Sequence, residues 1–393
     1  MAYIPDPTDP TRPVDTDIAE TAALEFRNLK AYIATLAGLG GGMNLFRRNA
    51  IIGGDFSTNP WQRGVTFAAI ATDTYSADRW KWTNSSAAVV TISKEANAPL
   101  AANAGLLTNH CLKVDVTTAD AAVGVNDFAQ VYQSVEGYNF AEMLAQRTVS
   151  ISFWHAHTKV GTYCIAFTNR NNASYIVEYT QLVADAWEYS SIQVPASPIA
   201  GTWNYTTGIG IQVVFSFMAG ANYQGAAGAW LTATAFATVN QVNAMDDVAN
   251  NCRIALVQCE GSGASTPFEN VHVGDVLERC QRYYEKSFQI ATAPATNVGN
   301  STGEYQWPAQ KAGVAANYFC LPFRVRKRAT PTMIYYAPAA ANNFMYDISV
   351  ASAMNPTANY DVTETRAVIN ATGAGGTAVG DYCCVHWTAD ADL

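Results

Sequence analysis

"IGIQVVFSF", from Ile209 to Phe217, is the stretch whose reading decides the fold. Apolar side chains stand at 209, 211, 213, 215 and 217, so in an extended chain they share one face. That period of two is the mark of a half-buried strand. Related segments recur at Ala88–Ser93, Cys111–Val116, Val149–Trp154, Cys164–Phe167, Trp187–Val194 and Arg253–Gln258, separated by Gly, Asn, Asp and Pro turns. No helix-length periodic segment intervenes, apart from a turn expected at Phe140–Leu144. Many antiparallel strands without crossover helices predict a mainly β fold: an antiparallel β-sandwich, read as a jelly roll.

Composition agrees with that class. Of 393 residues, 49% are hydrophobic and only 14% charged, against about a quarter in ordinary soluble domains. The net charge of −9 and pI near 5.0 argue against a nucleic-acid partner, which needs a basic footprint. The dense basic run Arg324–Arg328 is short and is read as a solvated or interfacial strand. No stretch approaches the ~18–20 apolar residues of a membrane span, so no membrane insertion is expected. The N-terminus lacks the pattern of a secretory signal, and assembly in a cytosol is expected. The eight cysteines are accordingly expected to be buried small apolar residues.

Four segments follow along the chain. Residues 1–42 combine an extended Pro- and Asp-rich peptide with a helix opened by the capping-box-like Asp17-x-x-Glu20. Ala22, Phe26, Leu29, Ile33 and Leu36 repeat at heptad spacing, which suits a trimeric coiled coil as well as a helix lying on its own domain. Gly38–Gly42 ends the helix. Residues 43–273 form the sandwich, 274–287 a helical linker with Val276, Leu277, Cys280 and Tyr284 on one side, and 288–393 a smaller C-terminal β-sandwich.

Reaction chemistry is sparse. No nucleophile elbow, phosphate loop or zinc-protease motif occurs, and Gly373–Ala378 imitates a dinucleotide fingerprint by letters only. His155 and His157 would face the same side of a strand, a spacing able to chelate, but nothing clearly completes a metal site. No cofactor is expected. Acidic residues sit near aromatics at Asp78 and Glu188, but one sequence cannot pair carboxylates across a cleft as a glycosidase requires.

Aromatics two apart are more telling. Trp80 and Trp82, Trp203 and Tyr205, and Tyr305 and Trp307 each share a strand face, where they either fill a core or stack on sugar rings. Polar flanks mark Tyr305 and Trp307 as the more exposed pair.

The ordered motifs "NAIIGGDF…WQRG", "YSADRW", "QSVEGYN", "VSISFW", "GIGIQVVF", "QCEGSGASTPFE", "CQRYYEKS" and "FRVRKRATPT", with the ending "HWTADADL", resemble tail-fibre and receptor-binding proteins of bacterial viruses. The segment from Asp6 to Ile33 resembles the part by which such fibres attach to a tail. The resemblance covers nearly the whole chain. It implies a homotrimeric virion protein joined to phage tail or adaptor proteins through its N-terminus, assembled in the host cytoplasm, with a carbohydrate-binding-like jelly-roll body. Ile51–Phe56 would be the sandwich's first strand and Trp61 its loop anchor. Related jelly rolls often carry a calcium-holding glutamate where Ser57 stands here, which leaves Asp55 as a partial substitute. The expected function is attachment to a host surface glycan without reaction, by polysaccharide or lipopolysaccharide binding. A capsule depolymerase and a purely structural collar are the alternatives. Host contact is expected mainly from the domain after residue 288.

Overall fold

Alternation along 209–217 becomes burial: Ile211, Val213, Phe215 and Phe217 all face the main core. A register shift between Ser216 and Met218 brings Met218 into the same core. The computed structural model describes residues 48–196, 202–354 and 357–393. The helix read at Asp17–Leu36, with Ala22, Phe26, Leu29, Ile33 and Leu36, lies outside the described residues.

The strands of the sandwich are, in chain order, β1 (Thr66–Phe67), β2 (Thr74–Tyr75), β3 (Trp80–Asn84), β4 (Val89–Glu95), β5 (Cys111–Thr118), β6 (Phe128–Glu136), β7 (Val149–His157), β8 (Gly161–Thr168), β9 (Ser174–Gln181), β10 (Glu188–Val194), β11 (Ile209–Ala219), β12 (Trp230–Leu231) and β13 (Asn251–Glu260). One six-stranded sheet has the order β1-β4-β5-β13-β7-β10, and a seven-stranded sheet has the order β12-β9-β8-β11-β6-β3-β2. Their ladders are antiparallel, and the inward faces close on one core that includes Trp80, Phe153, Tyr163 and Phe215.

The outer face of the seven-stranded sheet is not open. Residues of the 221–243 segment cover it: Phe236 and Ala237 pack with Tyr132, Cys164, Ile176 and Val214, and Tyr223 stacks on Phe236 with centroids 5.4 Å apart. Gln241 Nε2 donates to Ser216 Oγ at 3.0 Å.

The first strand expected at Ile51–Phe56 is not formed. Ile51–Phe56 is buried but irregular, not a strand, because Gly53 and Phe56 take left-handed backbone (φ 64° and 60°) that a ladder cannot hold. It is tied to β13 by the Val257 N–H donating to Gly54 O at 2.8 Å. A Cβ on Gly54 would lie 2.3 Å from Val257 O, so this approach requires glycine. Trp61 is an anchor, 1% exposed, with Nε1 donating to Phe56 O at 3.0 Å.

A helix, α1 (Val273–Gln281), follows the sandwich, with the ring of His272 accepting from Gly274 N at its start and Val276 and Cys280 buried. The second unit comprises β14 (Tyr284–Lys286), β15 (Tyr305–Pro308), β16 (Ala316–Pro322), β17 (Thr332–Tyr336), β18 (Met345–Asp347), β19 (Ser352–Met354), β20 (Thr357–Val362), β21 (Arg366–Thr372) and β22 (Tyr382–Asp390). β22 pairs with β14, β15, β17 and β18, while β16-β21-β20 form a separate sheet, and both sheets enclose a core around Phe319, Ile369, Val385 and Trp387. Pairing of Tyr284–Lys286 with β22 places the start of this sheet inside the segment read as a linker. The basic run 324–328 is an irregular loop rather than a strand. Its Lys327 is fully buried against Glu285, and Arg328 reaches Thr207 O in the sandwich at 2.9 Å.

Charged and aromatic groups weld the two units. Arg79 and Arg63 lie 3.6 Å above the rings of Tyr283 and Tyr284. Both guanidiniums meet Asp392, and Arg63 also meets Asp390 at 2.9 Å. Glu136 accepts from Arg282 and, at 2.7 Å, from the Tyr283 hydroxyl.

Candidate functional site: an aromatic cleft at one end of the sandwich

Proteins that hold sugars do so with flat rings whose faces remain accessible. Trp80 and Trp82 are 0% and 1% exposed, so both indoles are core; the shared strand face points inward. Trp203 is buried as well. Its partner differs: Tyr205 is 41% exposed.

Tyr205 ends a run of rings. Tyr175 meets Trp230 (5.4 Å), Trp230 meets Trp203 edge-on (5.9 Å), and Trp203 stacks on Phe140 (5.1 Å, 16°). Phe140 in turn stacks on Tyr205 at 5.8 Å and 17°. Phe140 begins a π-type turn, Phe140–Leu144, at the turn expected from the sequence. It fits because Gly210 has no side chain: a Cβ there would lie 2.4 Å from Phe140 Cβ.

The loop that presents Tyr205 is tied on both sides. Asn204 Oδ1 accepts from Thr206 N (2.8 Å) and Gly208 N (3.2 Å). Gly137 N donates to Gly208 O, and Tyr138 N to Thr206 O, each at 2.8 Å. The ring is therefore held in place before any ligand arrives. Beside it opens a cleft of about 570 Å³ lined by Ala141, Ala145, Gln146, Arg147 and Tyr205. Two small apolar residues, a tyrosine ring, an amide and a guanidinium are groups against which a sugar can pack and satisfy its hydroxyls. No carboxylate belongs to that lining among the described residues.

Tyr305 and Trp307 are less accessible than expected. Gln306 and Pro308 take the exposed face of β15, whereas Tyr305 packs on Trp387 (5.8 Å) and Trp307 on Phe319 (5.3 Å), both rings half-buried against the second core.

The remaining polar groups are structural. His155 and His157 are buried; His155 Nδ1 lies 2.8 Å from Gln181 Oε1, and His157 Nε2 lies 3.1 Å from the Tyr179 hydroxyl. Desolvation lowers both pKa values, that of His157 furthest. Asp55 accepts from Thr58 N and Oγ1, and burial raises its pKa. Where related jelly rolls place glutamate, the Ser57 hydroxyl accepts from Asn109 N and His110 N at 3.0 Å, and Lys94 Nζ donates to Ser57 O at 3.3 Å. Seven cysteines are buried as expected, but Cys320 is exposed, since its strand β16 alternates and turns it outward.

Two further ring-bearing groups escaped the sequence reading: Trp154, Trp187 and Tyr189 on the sandwich, and Tyr318 with Tyr360 on the second unit. Trp187 and Tyr189 have the same two-residue spacing as the pairs singled out above, but Trp154 and Tyr189, and Tyr318 and Tyr360, meet only across strands, which linear spacing does not reveal.

No family model matches the sequence, and no curated protein matches it. Among solved structures, the chain is similar to the enzymatically active domain of tailspike protein 4 of bacteriophage CBA120, at 11% identity and a TM-score of 0.31, over 56% of this chain and 22% of that one. It is also similar to the module TmCBM61 in complex with β-1,4-galactotriose, at 13% identity and a TM-score of 0.27, over 55% of this chain and 99% of that one. A third similarity is to the CBM22-1 xylan-binding domain of Xyn10C from Paenibacillus barcinonensis, at 11% identity and a TM-score of 0.26, over 51% and 95% of the two chains.

Proposed function

We propose that the chain is a structural, carbohydrate-binding protein of a bacteriophage virion: a homotrimeric tail fibre with a jelly-roll body that attaches to the host cell surface by holding polysaccharide or lipopolysaccharide. The single observation that carries the binding role is the Tyr205 ring, stacked on Phe140 and lining a cleft with Gln146 and Arg147. Preorganisation limits the entropy lost on binding, and three copies on one fibre would multiply a weak single contact. The ordered tail-fibre motifs support the virion context. The N-terminal segment would join the tail or an adaptor protein, and the sandwich rather than the rings of β15 would meet the glycan.

Binding proceeds without reaction in this reading. Glycoside hydrolysis needs two carboxylates flanking the bond, and the described cleft lining offers a guanidinium and an amide instead. The test is adsorption of purified protein to host cells, followed by the size of the polysaccharide recovered. Adsorption with unchanged chain length is expected. Shortened chains would make the protein a depolymerase, and a folded protein that does not adsorb would make it a spacer.

A further inference from the structure

We propose that the outer face of β7 and β10 is a second carbohydrate-binding surface, one that takes a linear, uncharged glycan along the strand. It shares no residue with the Tyr205 cleft.

Strand β10 is the edge of the six-stranded sheet and, among the described residues, pairs only with β7. In that register Tyr189 stands directly opposite Trp154, with ring centroids 5.4 Å apart and planes tilted by 51°. Trp187, just before β10, packs on the same apolar cluster as Trp154. Tyr189 is 50% exposed, while Trp154 and Trp187 are half-buried on an apolar bed that includes Cys111, Ala255 and Leu256. The rings are thus anchored on one side and open on the other.

Their positions are fixed from several directions. Trp187 Nε1 donates to Asn97 Oδ1 at 3.1 Å. The loop before β10 is held by the Glu188 carboxylate, which accepts from Leu182 N (3.0 Å) and Val183 N (2.8 Å). Arg253 pairs with Asp185 of the same loop at 2.8 Å. Gln181 Nε2 donates to Val183 O and Ala186 O, each at 2.8 Å.

The chemistry of the strip selects the ligand class. Beyond Tyr189 the outward positions are Ser191, whose hydroxyl lies 2.8 Å from Ser265 Oγ, and Gln193, whose Nε2 donates to Gly263 O. Ring faces followed by hydroxyl and amide groups match the apolar faces and hydroxyl edges of successive sugars. The nearby charges are engaged: Glu188 by backbone N–H groups, Arg253 by Glu95 and Asp185. A neutral chain therefore fits better than an acidic one. From Glu188 to Gln193 the strand extends about 17 Å at ~3.3 Å per residue, with Trp187 just before it, room for several sugar units.

The test is titration of the full chain with neutral xylo-, galacto- and gluco-oligosaccharides of increasing length, followed by indole fluorescence and calorimetry. Affinity for at least one series is expected to rise with length. Tyr189→Ala is expected to weaken it roughly fivefold and Trp187→Ala about as much, while Trp187→Phe retains most of it. Tyr189 is half-exposed, so its variant tests binding without threatening the fold. Binding by none of the three series, or binding as tight as wild type by both Tyr189→Ala and Trp187→Ala, would overturn the proposal. So would a change in oligomeric state in these variants, which would make the face a contact between copies of the chain. Loss of binding in Tyr205→Ala alone would place the glycan in the cleft, leaving the proposed function standing without this second surface.

Discussion

Asp392, next to the C-terminal residue, holds the two units together, and Asp392→Ala should show it. The carboxylate is 2% exposed and binds two guanidiniums, Arg79 (side chain 1% exposed) and Arg63 at 2.9 Å. Breaking a buried ion pair by removing one partner costs about 3–5 kcal/mol, because the other charge is left uncompensated. Here the loss falls unevenly. Arg63 keeps Asp390 at 2.9 Å and Asp78 at 3.9 Å, so it is not orphaned. Among the described residues, Arg79 retains Ser134 O at 2.6 Å and the Tyr283 ring at 3.6 Å. One stranded guanidinium places the expected loss at the lower end, about 3 kcal/mol. Urea denaturation followed by tryptophan fluorescence measures it, since Trp61 and Trp387 report on the two cores. Replacing both partners with apolar residues, Arg79→Met with Asp392→Leu, should recover most of the loss. A single-mutant loss below about 0.5 kcal/mol, the range of an exposed pair, would refute the reasoning.

Three further outcomes follow from the core and the surface. Gly54→Ala should destabilise by about 1–3 kcal/mol, because its Cβ meets the Val257 carbonyl rather than a movable side chain; thermal unfolding checks this. His155, His157 and His386 all have pKa values lowered by desolvation, so the unfolded chain binds protons first as pH falls. Their contribution to stability should be whole above the unfolded value near ~6.5 and decline below it, and a His157 ring resonance titrating at or above that value would contradict the assignment. Native alkylation should label one thiol per chain, at Cys320, with the other seven reacting only on unfolding.

Strands were legible wherever one face is apolar and the other polar, as in Ile209–Ala219 and Val149–His157. They were hidden where polar residues are buried among the apolar ones and blur the alternation. β6 carries Gln130, Gln133 and Ser134 at 3% exposure or less, so its polar residues looked like loop. Tyr132 of the same strand packs under Phe236 of the 221–243 segment, a long-range contact that no local pattern signals. Ring spacing told which aromatics share a face but not whether that face looks inward. Trp80 with Trp82 and Tyr305 with Trp307 obey the same rule, yet the first pair is core and the second lies half-covered on another core. Trp154 and Tyr189 stand 35 positions apart in sequence and meet only through the β7–β10 register. The first-strand reading of Ile51–Phe56 failed because its apolar run is buried by irregular backbone, which Gly53 and Gly54 permit.

The claim that this protein is a glycan-binding attachment protein meets its most direct test in calorimetric titration of surface polysaccharide from the adsorbing host, using the wild-type chain and Tyr205→Ala. Saturable binding is predicted, weakened roughly fivefold per site in the variant, as the loss of about 1 kcal/mol of ring stacking requires. No binding by the folded wild-type chain, or identical binding by Tyr205→Ala, would contradict the account.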